Sequence, residues 1–286
     1  MKIEKNVPMA KHTTLHIGGL ANFFALVKNA SDLDRCLAFA RERGLKVLPF
    51  GGGSNTLFSS KGFRGLVLRL ANEGIDFSNG KVCVGAGESW PAVARACAGK
   101  GLDCAPMAGI PGTVGAAVFG NAGAHGVCVG DFLQSAEIVD LQTGKILRKK
   151  AEWFQFAPRF SVLQRRRHFM VWRVWLGNFP ENAPVKIAEK ITQLARERRA
   201  KQPVGFSAGS FFKNPPGKFA GALLESCGLK GLKIGGAQIS PQHANFFLNI
   251  GGATFEDFRQ LATIAQEKVL AKFQIKLERE VQFLGD

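Results

Sequence analysis

The stretch MAGIPGTVGAAVFGNAGAHG, residues 107–126, is the most informative part of the sequence about the fold and function of this chain. It contains six glycines and no charged residue, and a second glycine-rich stretch, GGGSN at 51–55, follows the apolar segment LKVLPF. Glycine lets backbone N–H groups approach an anion closely, and a loop that leads into a helix adds the helix dipole. Neither stretch is a GxGxxG fingerprint or a P-loop. Each alone could be only a tight turn, but two in one half of the chain favour a dinucleotide held by backbone groups.

The segments around these loops mix strand and helix patterns without regular alternation. ANFFALV (21–27) and FMVWRVWL (169–176) predict strands, and AEIVDLQTGKILRK predicts a hairpin that turns at Thr143–Gly144. Ser31 and Thr254 are each expected to cap a helix, and KLEREVQFL (276–284) predicts a last strand. We therefore predict an α+β fold.

A connector rich in Gly, Pro and Asn, GNFPENAP at 177–184, divides the chain. It predicts two domains, residues 1–180 and 181–286. With 286 residues, 46% of them hydrophobic, the chain is long enough to build two cores.

The net charge of +16 indicates an anionic partner or substrate. The basic residues are spread along the chain, with RRR at 165–167 and RERRAK at 196–201 as the only clusters, and no nucleic-acid-binding motif accompanies them. An anionic small molecule is therefore favoured over nucleic acid.

The first residues, MKIEKNVPMAKHTT, lack the 7–15-residue apolar core typical of a signal peptide, and the apolar runs of the chain are shorter than the roughly 20 residues that span a bilayer. We expect a soluble protein of the cytoplasm that does not enter the membrane. The six cysteines are scattered and are expected to be reduced and mostly buried. Only His12 and His16 approach a metal-ligand spacing, so no metal is expected.

Two further places carry candidate chemistry. In GSFFKNP, Ser210, Lys213 and Asn214 could converge on an anionic ligand, or could form a polar loop over two phenylalanines. Glu278 and Glu280 share one face of the predicted last strand, as a candidate acid or charge anchor or as a solvated face. Residue spacing alone leaves both pairs of alternatives open.

Seven segments, taken together and in order, resemble the UDP-N-acetylenolpyruvoylglucosamine reductase family. The resemblance extends from about residue 7 to 285 and rests on NVPMAKHTTLHIGGLANFF, PFGGGSNTLFSSKGFRGLVLRL, GIPGTVGAAVFGNAGAHG, SAGSFFKNP, GLKGLKIGGAQIS, QHANFFLN and LEREVQFLG. One such motif would be weak evidence, whereas seven in the family's order are specific.

This resemblance implies a fold and a cofactor. The fold would be an FAD-binding portion of the p-cresol methylhydroxylase and vanillyl-alcohol oxidase type, with subdomains at about 1–60 and 61–180, and a C-terminal α+β substrate-binding domain. The length suits the family's compact form, which lacks a tyrosine loop. FAD would be bound non-covalently by residues of the glycine-rich stretches, namely Gly51, Gly52, Gly53, Ser54, Asn55, Gly109, Ile110, Pro111, Gly112, Thr113, Gly115, Asn121 and Gly123.

The resemblance also implies a reaction. NADPH would reduce the flavin, and UDP-N-acetylenolpyruvoylglucosamine would then take hydride from flavin N5 at C3, giving UDP-N-acetylmuramate for peptidoglycan. Ser210 would give the proton to C2, while Arg159 and Glu280 would polarise the substrate carboxylate. Lys213, Asn214 and His243 match substrate-contacting positions. No obligate protein partner is implied.

The chain departs from the family at two positions that flank this chemistry. Pro158 precedes Arg159 where the family usually carries tyrosine, and Phe119 also stands where tyrosine is common. Because proline fixes φ and removes an N–H, the loop at 158 is expected to follow a different path. Two alternatives remain: an FAD-dependent sugar or alcohol oxidase of the same superfamily, and a non-catalytic relative that binds FAD or a UDP-sugar.

Overall fold

The computed structural model describes residues 1–78 and 80–285 as a mixture of helices and mostly short strands. The α-helices found there are α1 (Ala30–Glu42), α2 (Trp90–Ala98), α3 (Val114–Gly120), α4 (Val129–Phe132), α5 (Pro184–Lys201), α6 (Ala220–Ser226) and α7 (Phe255–Phe273). The strands are β1 (Ile3–Pro8), β2 (Leu20–Val27), β3 (Lys46–Phe50), β4 (Thr56–Phe58), β5 (Phe63–Leu70), β6 (Ile75–Ser78), β7 (Lys81–Gly85), β8 (Gly123–Ala124), β9 (Val127–Cys128), β10 (Leu133–Asp140), β11 (Ile146–Lys150), β12 (Phe169–Leu176), β13 (Phe206–Ser210), β14 (Lys233–Ile234), β15 (Ala237–Ile239), β16 (Phe246–Asn249) and β17 (Gln282–Leu284). None of these helices is both long and apolar enough to cross a membrane.

The chain divides into two compact units, each assembled from separate segments. The first unit comprises residues 1–4, 24–52 and 65–198, and the second comprises 5–23, 53–64 and 199–286. The second unit thus combines two short N-terminal segments with the C-terminal part of the chain, which the sequence did not predict. The contiguous domains 1–180 and 181–286 stay a prediction.

The first unit is built on a five-stranded sheet with strand order β11-β10-β12-β7-β6. The predicted hairpin is confirmed, since β10 and β11 pair antiparallel from Ser135↔Lys150 to Val139↔Ile146. One sheet face is apolar and buried because side chains alternate along each strand, and it carries Val82, Val84, Ala136, Ile138, Val174 and Leu176. Helix α5 packs through Ile187, Ile191 and Leu194 against Ala98 and Ala105.

Helix α1 follows the predicted pattern but has a different cap. Leu33, Leu37 and Ala40 are buried along one stripe, as expected. The N-cap is Asn29 rather than Ser31, because the Asn29 side chain accepts a hydrogen bond from the N–H of Asp32. The predicted Ser31 cap is therefore wrong by two residues.

The second unit contains a four-stranded sheet with order β13-β16-β15-β14, packed with α6 and α7 around a core rich in phenylalanine. The predicted cap of α7 is confirmed, because Thr254 and Asp257 form a capping box. The predicted last strand is longer than the observed β17, which contains only residues 282–284 and pairs parallel with β4. Residues 276–281 lie outside it, although part of this segment pairs with residues 211–213.

All six cysteines are free thiols, three of them buried and three half-buried, so that burial is less general than predicted. Burial raises the pKa of Cys36 to about 11. In the described ranges, no group of three or more His, Cys, Asp or Glu side chains could hold a metal ion.

Candidate cofactor and active site

The two glycine-rich loops contact each other within the first unit. A Cβ built on Gly51 would lie 2.9 Å from both the Ala116 Cβ and the Thr113 Oγ1. A Cβ on Gly52 would lie 3.1 Å from the Gly112 Cα. A larger residue at Gly51 or Gly52 would force the two loops apart, so glycine is favoured where they meet.

The turn at residues 109–115 leaves backbone donors available beside this contact. The N–H groups of Val114 and Gly115 donate to the carbonyls of Glu88 and Ala86, each at 2.9 Å, and so fix the turn. Gly112 adopts a left-handed φ of 100°. Its N–H and that of Thr113 form no hydrogen bond with the described residues, so these two groups can bind an anion. A cradle lined by glycine, with two such donors, fits the diphosphate of FAD.

Asn121 and Gly123 shape the loop that follows α3. Asn121 is the helix C-cap with φ 43°, its Oδ1 accepts from the Gly130 N–H at 3.0 Å, and its Nδ2 donates to the Ala157 carbonyl at 2.9 Å. A Cβ on Gly123 would lie 2.6 Å from the Val127 carbonyl oxygen. The structure thus gives both residues a role in loop geometry, and their contact with FAD stays a prediction.

Arg198 contacts this turn, and the sequence did not predict that contact. Its guanidinium donates to the Gly109 carbonyl oxygen from the last turns of α5. Burial lowers the pKa of Arg198, since a desolvated guanidinium favours its neutral form. The available signal was the RERRAK cluster at 196–201, which net charge alone did not connect to the glycine loop.

Arg159 lies in a tight turn at residues 157–160. Ala157 and Phe160 exchange both backbone hydrogen bonds, at 3.1 and 3.0 Å, so Pro158 and Arg159 occupy the two central positions. Arg159 has φ 55°. Proline at the first central position and a positive φ at the second are features of a type II turn. Pro158 is therefore accommodated, and Arg159 is held in a conformation that is unfavourable for a residue with a side chain.

In the second unit, Gly53 and Asn55 are fixed against other segments. A Cβ on Gly53 would collide with the carbonyl oxygen of His12, and Gly53 has φ 66°. The Asn55 Nδ2 donates to the Glu280 carbonyl at 3.1 Å, and the Gln282 N–H donates to the Asn55 carbonyl at 3.0 Å. The end of GGGSN therefore holds the backbone of a predicted catalytic residue, and its FAD contacts stay a prediction, as do those of Ser54.

The backbone brings Ser210, Lys213 and Glu280 together. A register shift between Ser207 and Ser210 in β13, with Gly209 at φ 76°, sets the direction of Ser210. The following residues pair antiparallel with the C-terminal segment, because the Lys213 N–H donates to the Glu278 carbonyl at 2.8 Å and the Glu280 N–H donates to the Phe211 carbonyl at 2.9 Å. The Lys213 Nζ lies 3.5 Å from the Glu278 Oε2.

The remaining predicted substrate-contacting residues lie in the same unit. The Asn214 Oδ1 accepts from the Ala220 N–H at 3.0 Å, at the start of α6, and the contact of Asn214 with substrate stays a prediction. The His243 Nδ1 accepts from the Asn245 N–H at 3.2 Å. Burial lowers the pKa of His243, and this favours the neutral imidazole.

An α+β fold that has glycine-lined backbone donors, and a serine, a lysine and a glutamate on neighbouring segments, is compatible with an enzyme that uses a nucleotide and acts on an anionic substrate. Comparison with known proteins makes the class specific: residues 21–149 match the FAD binding domain model, and residues 200–284 match the model of the UDP-N-acetylenolpyruvoylglucosamine reductase C-terminal domain.

Relatives of that name match along the whole chain. The protein of Synechococcus sp. (strain JA-3-3Ab) is 39% identical, with 99% of this chain and 92% of the relative covered. That of Caldanaerobacter subterraneus subsp. tengcongensis is 36% identical, with 100% and 94% covered. The crystal structure of the Thermus caldophilus reductase matches with a TM-score of 0.84 and 32% identity over 99% of each chain. The chain belongs to the UDP-N-acetylenolpyruvoylglucosamine reductase family, and the predicted fold class is confirmed.

Proposed function

We propose that this chain is the NADPH-dependent flavoenzyme that reduces UDP-N-acetylenolpyruvoylglucosamine to UDP-N-acetylmuramate for peptidoglycan in the bacterial cytoplasm. Full-length similarity to reductases of this name supports the reaction. The observation that carries the site assignment is the backbone pairing of residues 211–213 with 278–280, which holds Ser210, Lys213 and Glu280 in one small region.

Bound FAD, its diphosphate held by the N–H groups of Gly112 and Thr113, would supply the hydride that passes from NADPH to C3 of the enolpyruvyl group. The protein's own task is then to manage the negative charge that develops at C2, beside the substrate carboxylate. Arg159 and Glu280 polarise and orient that carboxylate, and Ser210 donates the proton to C2. Serine is a weak acid, but a carbanion is a much stronger base than an alkoxide, so this proton transfer is downhill.

The cationic and amide groups of the second unit suit the substrate's diphosphate. Lys213 is only partly exposed, with 26% of its side chain accessible, and its anionic neighbour Glu278 is 74% exposed. A surface ion pair of this kind is weak, so a diphosphate can displace the carboxylate. The nitrogens of Asn214 and His243 that do not serve the fold supply further hydrogen bonds to the substrate.

The similarity of residues 200–284 to the reductase C-terminal domain favours the reductase over a flavin oxidase of the same superfamily. A non-catalytic relative would have no need to retain Ser210, Arg159 and Glu280 together.

The first test is whether the purified protein is yellow and releases FAD on acid treatment. Stopped-flow measurements on Ser210→Ala then separate the two half-reactions. We expect flavin reduction by NADPH to stay near wild type, while reoxidation by the enolpyruvyl substrate slows by at least about 10²-fold, as for loss of a general acid. Ser207→Ala, three residues earlier in the same strand, is the matched control and should leave both rates unchanged. Equal damage to both half-reactions in Ser210→Ala would refute the proton-donor role.

A further inference from the structure

Asn245 is a buried polar residue to which neither the motifs nor the proposed mechanism assigns a role. It lies in QHANFFLN, immediately before β16, and is only 3% exposed. A buried carboxamide is costly unless its donor and acceptor groups are satisfied, so its partners indicate what it does.

All of its polar groups bind within the second unit, and they hold the segment between Ser210 and Lys213. The Asn245 carbonyl accepts from the Phe211 N–H at 2.7 Å. Its side-chain Oδ1 accepts from the Phe212 N–H at 2.9 Å, and its Nδ2 donates to the Phe212 carbonyl at 2.8 Å. The side-chain amide therefore pairs with Phe212 as a neighbouring strand would, and extends the ladder of β13 beyond the last main-chain pair.

The hydrogen bonds of Asn245 with Phe211 and Phe212 form a clamp, and this clamp has a counterpart on the other side of the same segment. The Phe211 carbonyl accepts from the Glu280 N–H, and the Lys213 N–H donates to the Glu278 carbonyl. Residues 211–213 are thus held between Asn245 on one side and residues 278–280 on the other. The side chains of Phe211 and Phe212 are fully buried in the core. Loss of the Asn245 amide would leave two buried backbone groups of Phe212 unpaired and loosen the segment on one side.

Asn245 also acts on His243. Its N–H donates to the His243 Nδ1, so a neutral imidazole must carry its proton on Nε2. A lowered pKa, caused by burial, favours that neutral form. Gly221 of α6 packs against the ring, since a Cβ there would lie 3.0 Å from the His243 Cε1. The imidazole therefore has a defined orientation and offers an N–H donor from Nε2.

We propose that Asn245 is a positioning residue of the reaction, which aligns Ser210 and Lys213 through Phe212 and fixes His243 as a donor at Nε2. This inference rests on the proposed function, because it takes Ser210 as the proton donor and Lys213 and His243 as substrate contacts. It predicts that Asn245 affects the step that consumes the enolpyruvyl substrate and not the step that consumes NADPH.

The test compares Asn245→Ala with Asn249→Ala in the FAD-containing enzyme. Asn249 lies four residues further along, and its side chain also makes several backbone hydrogen bonds, with Leu15, Gly251 and Ala253. It therefore controls for the loss of a structural asparagine in the same unit. Thermal unfolding, FAD content and both half-reaction rates are measured for each variant.

We expect Asn245→Ala to slow flavin reoxidation by the enolpyruvyl substrate by about 10- to 100-fold, the effect of a misplaced reacting group, with flavin reduction at saturating NADPH within about twofold of wild type. Asn249→Ala should lose comparable stability with both rates intact. Should Asn245→Ala fail to fold, Asn245→Asp, which keeps the acceptor for the Phe212 N–H, is measured in the same way.

Rates for Asn245→Ala that match those of Asn249→Ala, or an equal fall in both half-reactions, would overturn the positioning role. Ser210→Ala separates this failure from failure of the proposed function. If Ser210→Ala is blocked in the second half-reaction while Asn245→Ala is normal, the proposed function survives and only this inference falls. If Ser210→Ala turns over normally, the proposed function itself is wrong.

Discussion

The left-handed backbone of Arg159 leads to a prediction in which activity and stability respond differently to the same substitution. Arg159 has φ 55° at the second central position of the turn at residues 157–160. This conformation costs a residue with a Cβ about 1–2 kcal/mol, and glycine avoids that cost. Arg159→Ala and Arg159→Gly both remove the guanidinium, but only Arg159→Gly also removes the free-energy cost of the positive φ at this position.

The difference in the free energy of unfolding between these two variants can be estimated, because both lose the interactions of the arginine side chain and this loss cancels. Glycine at 159 gains about 1–2 kcal/mol from relief of strain and loses about 0.5–1 kcal/mol through the greater freedom of the unfolded chain. Arg159→Gly should therefore be more stable than Arg159→Ala by about 0.5–1 kcal/mol. For a chain of this size the midpoint of thermal unfolding should differ by about 1–3 °C.

The assay pairs thermal unfolding with stopped-flow kinetics, and Arg165 provides the control. Arg165 is exposed and has φ −92° in the right-handed helical region, so glycine there should be less stable than alanine, the opposite order. Both Arg159 variants should lose at least about 10²-fold in turnover, since a charge that stabilises the transition state is gone. Both Arg165 variants should turn over normally. The same stability order at the two positions, or full turnover by Arg159→Ala, would refute this reasoning.

Two other variants test the remaining assignments. Glu280→Gln keeps the side-chain shape and loses the charge, so kcat should fall by about 10²-fold with KM little changed; a rise in KM alone would make Glu280 a binding residue. Burial lowers the pKa of His243 in the folded protein below the value of about 6.5 that histidine has in the unfolded chain. The contribution of His243 to stability is therefore fully present above about pH 6.5, and it is lost as the pH falls through the pKa of the folded state. Unfolding midpoints measured across this window should therefore decline less steeply for His243→Asn than for wild type, and parallel curves would contradict the shift.

Local signals in the sequence were sufficient where the cause of the structure is local. The cap of α7 and the hairpin between β10 and β11 depend on residues a few positions apart, and both are as predicted. The cap of α1 was misplaced because Asn29 and Ser31 are both good caps, and only the backbone path decides between them. The last strand was overestimated because the alternation in LEREV continues through a segment that pairs only briefly.

The parts of the site that the sequence could not provide depend on contacts between distant residues. Asn55 and Glu280 are far apart in the chain, yet the side chain of one holds the carbonyl of the other at 3.1 Å. The clamp of Asn245 on Phe212 likewise joins segments whose pairing no spacing rule reveals. The residue types could be identified from motifs, but their partners required the fold.

Two positions where the family commonly has tyrosine, 119 and 158, differ in this chain, and hydrogen bonds connect the backbone of residue 119 with the turn that contains residue 158. The Ser161 Oγ donates to the Phe119 carbonyl at 2.7 Å, and the Gln164 Nε2 donates both to that carbonyl and to the Arg159 carbonyl, at 3.3 and 3.0 Å. The turn that carries Arg159 is therefore anchored on the backbone of residue 119 and does not depend on a hydroxyl there. Proline suits the first central position of the same turn, which needs no N–H. The loss of both tyrosines is thus compatible with an ordered turn at residues 157–160, because main-chain acceptors and a fixed φ maintain its shape.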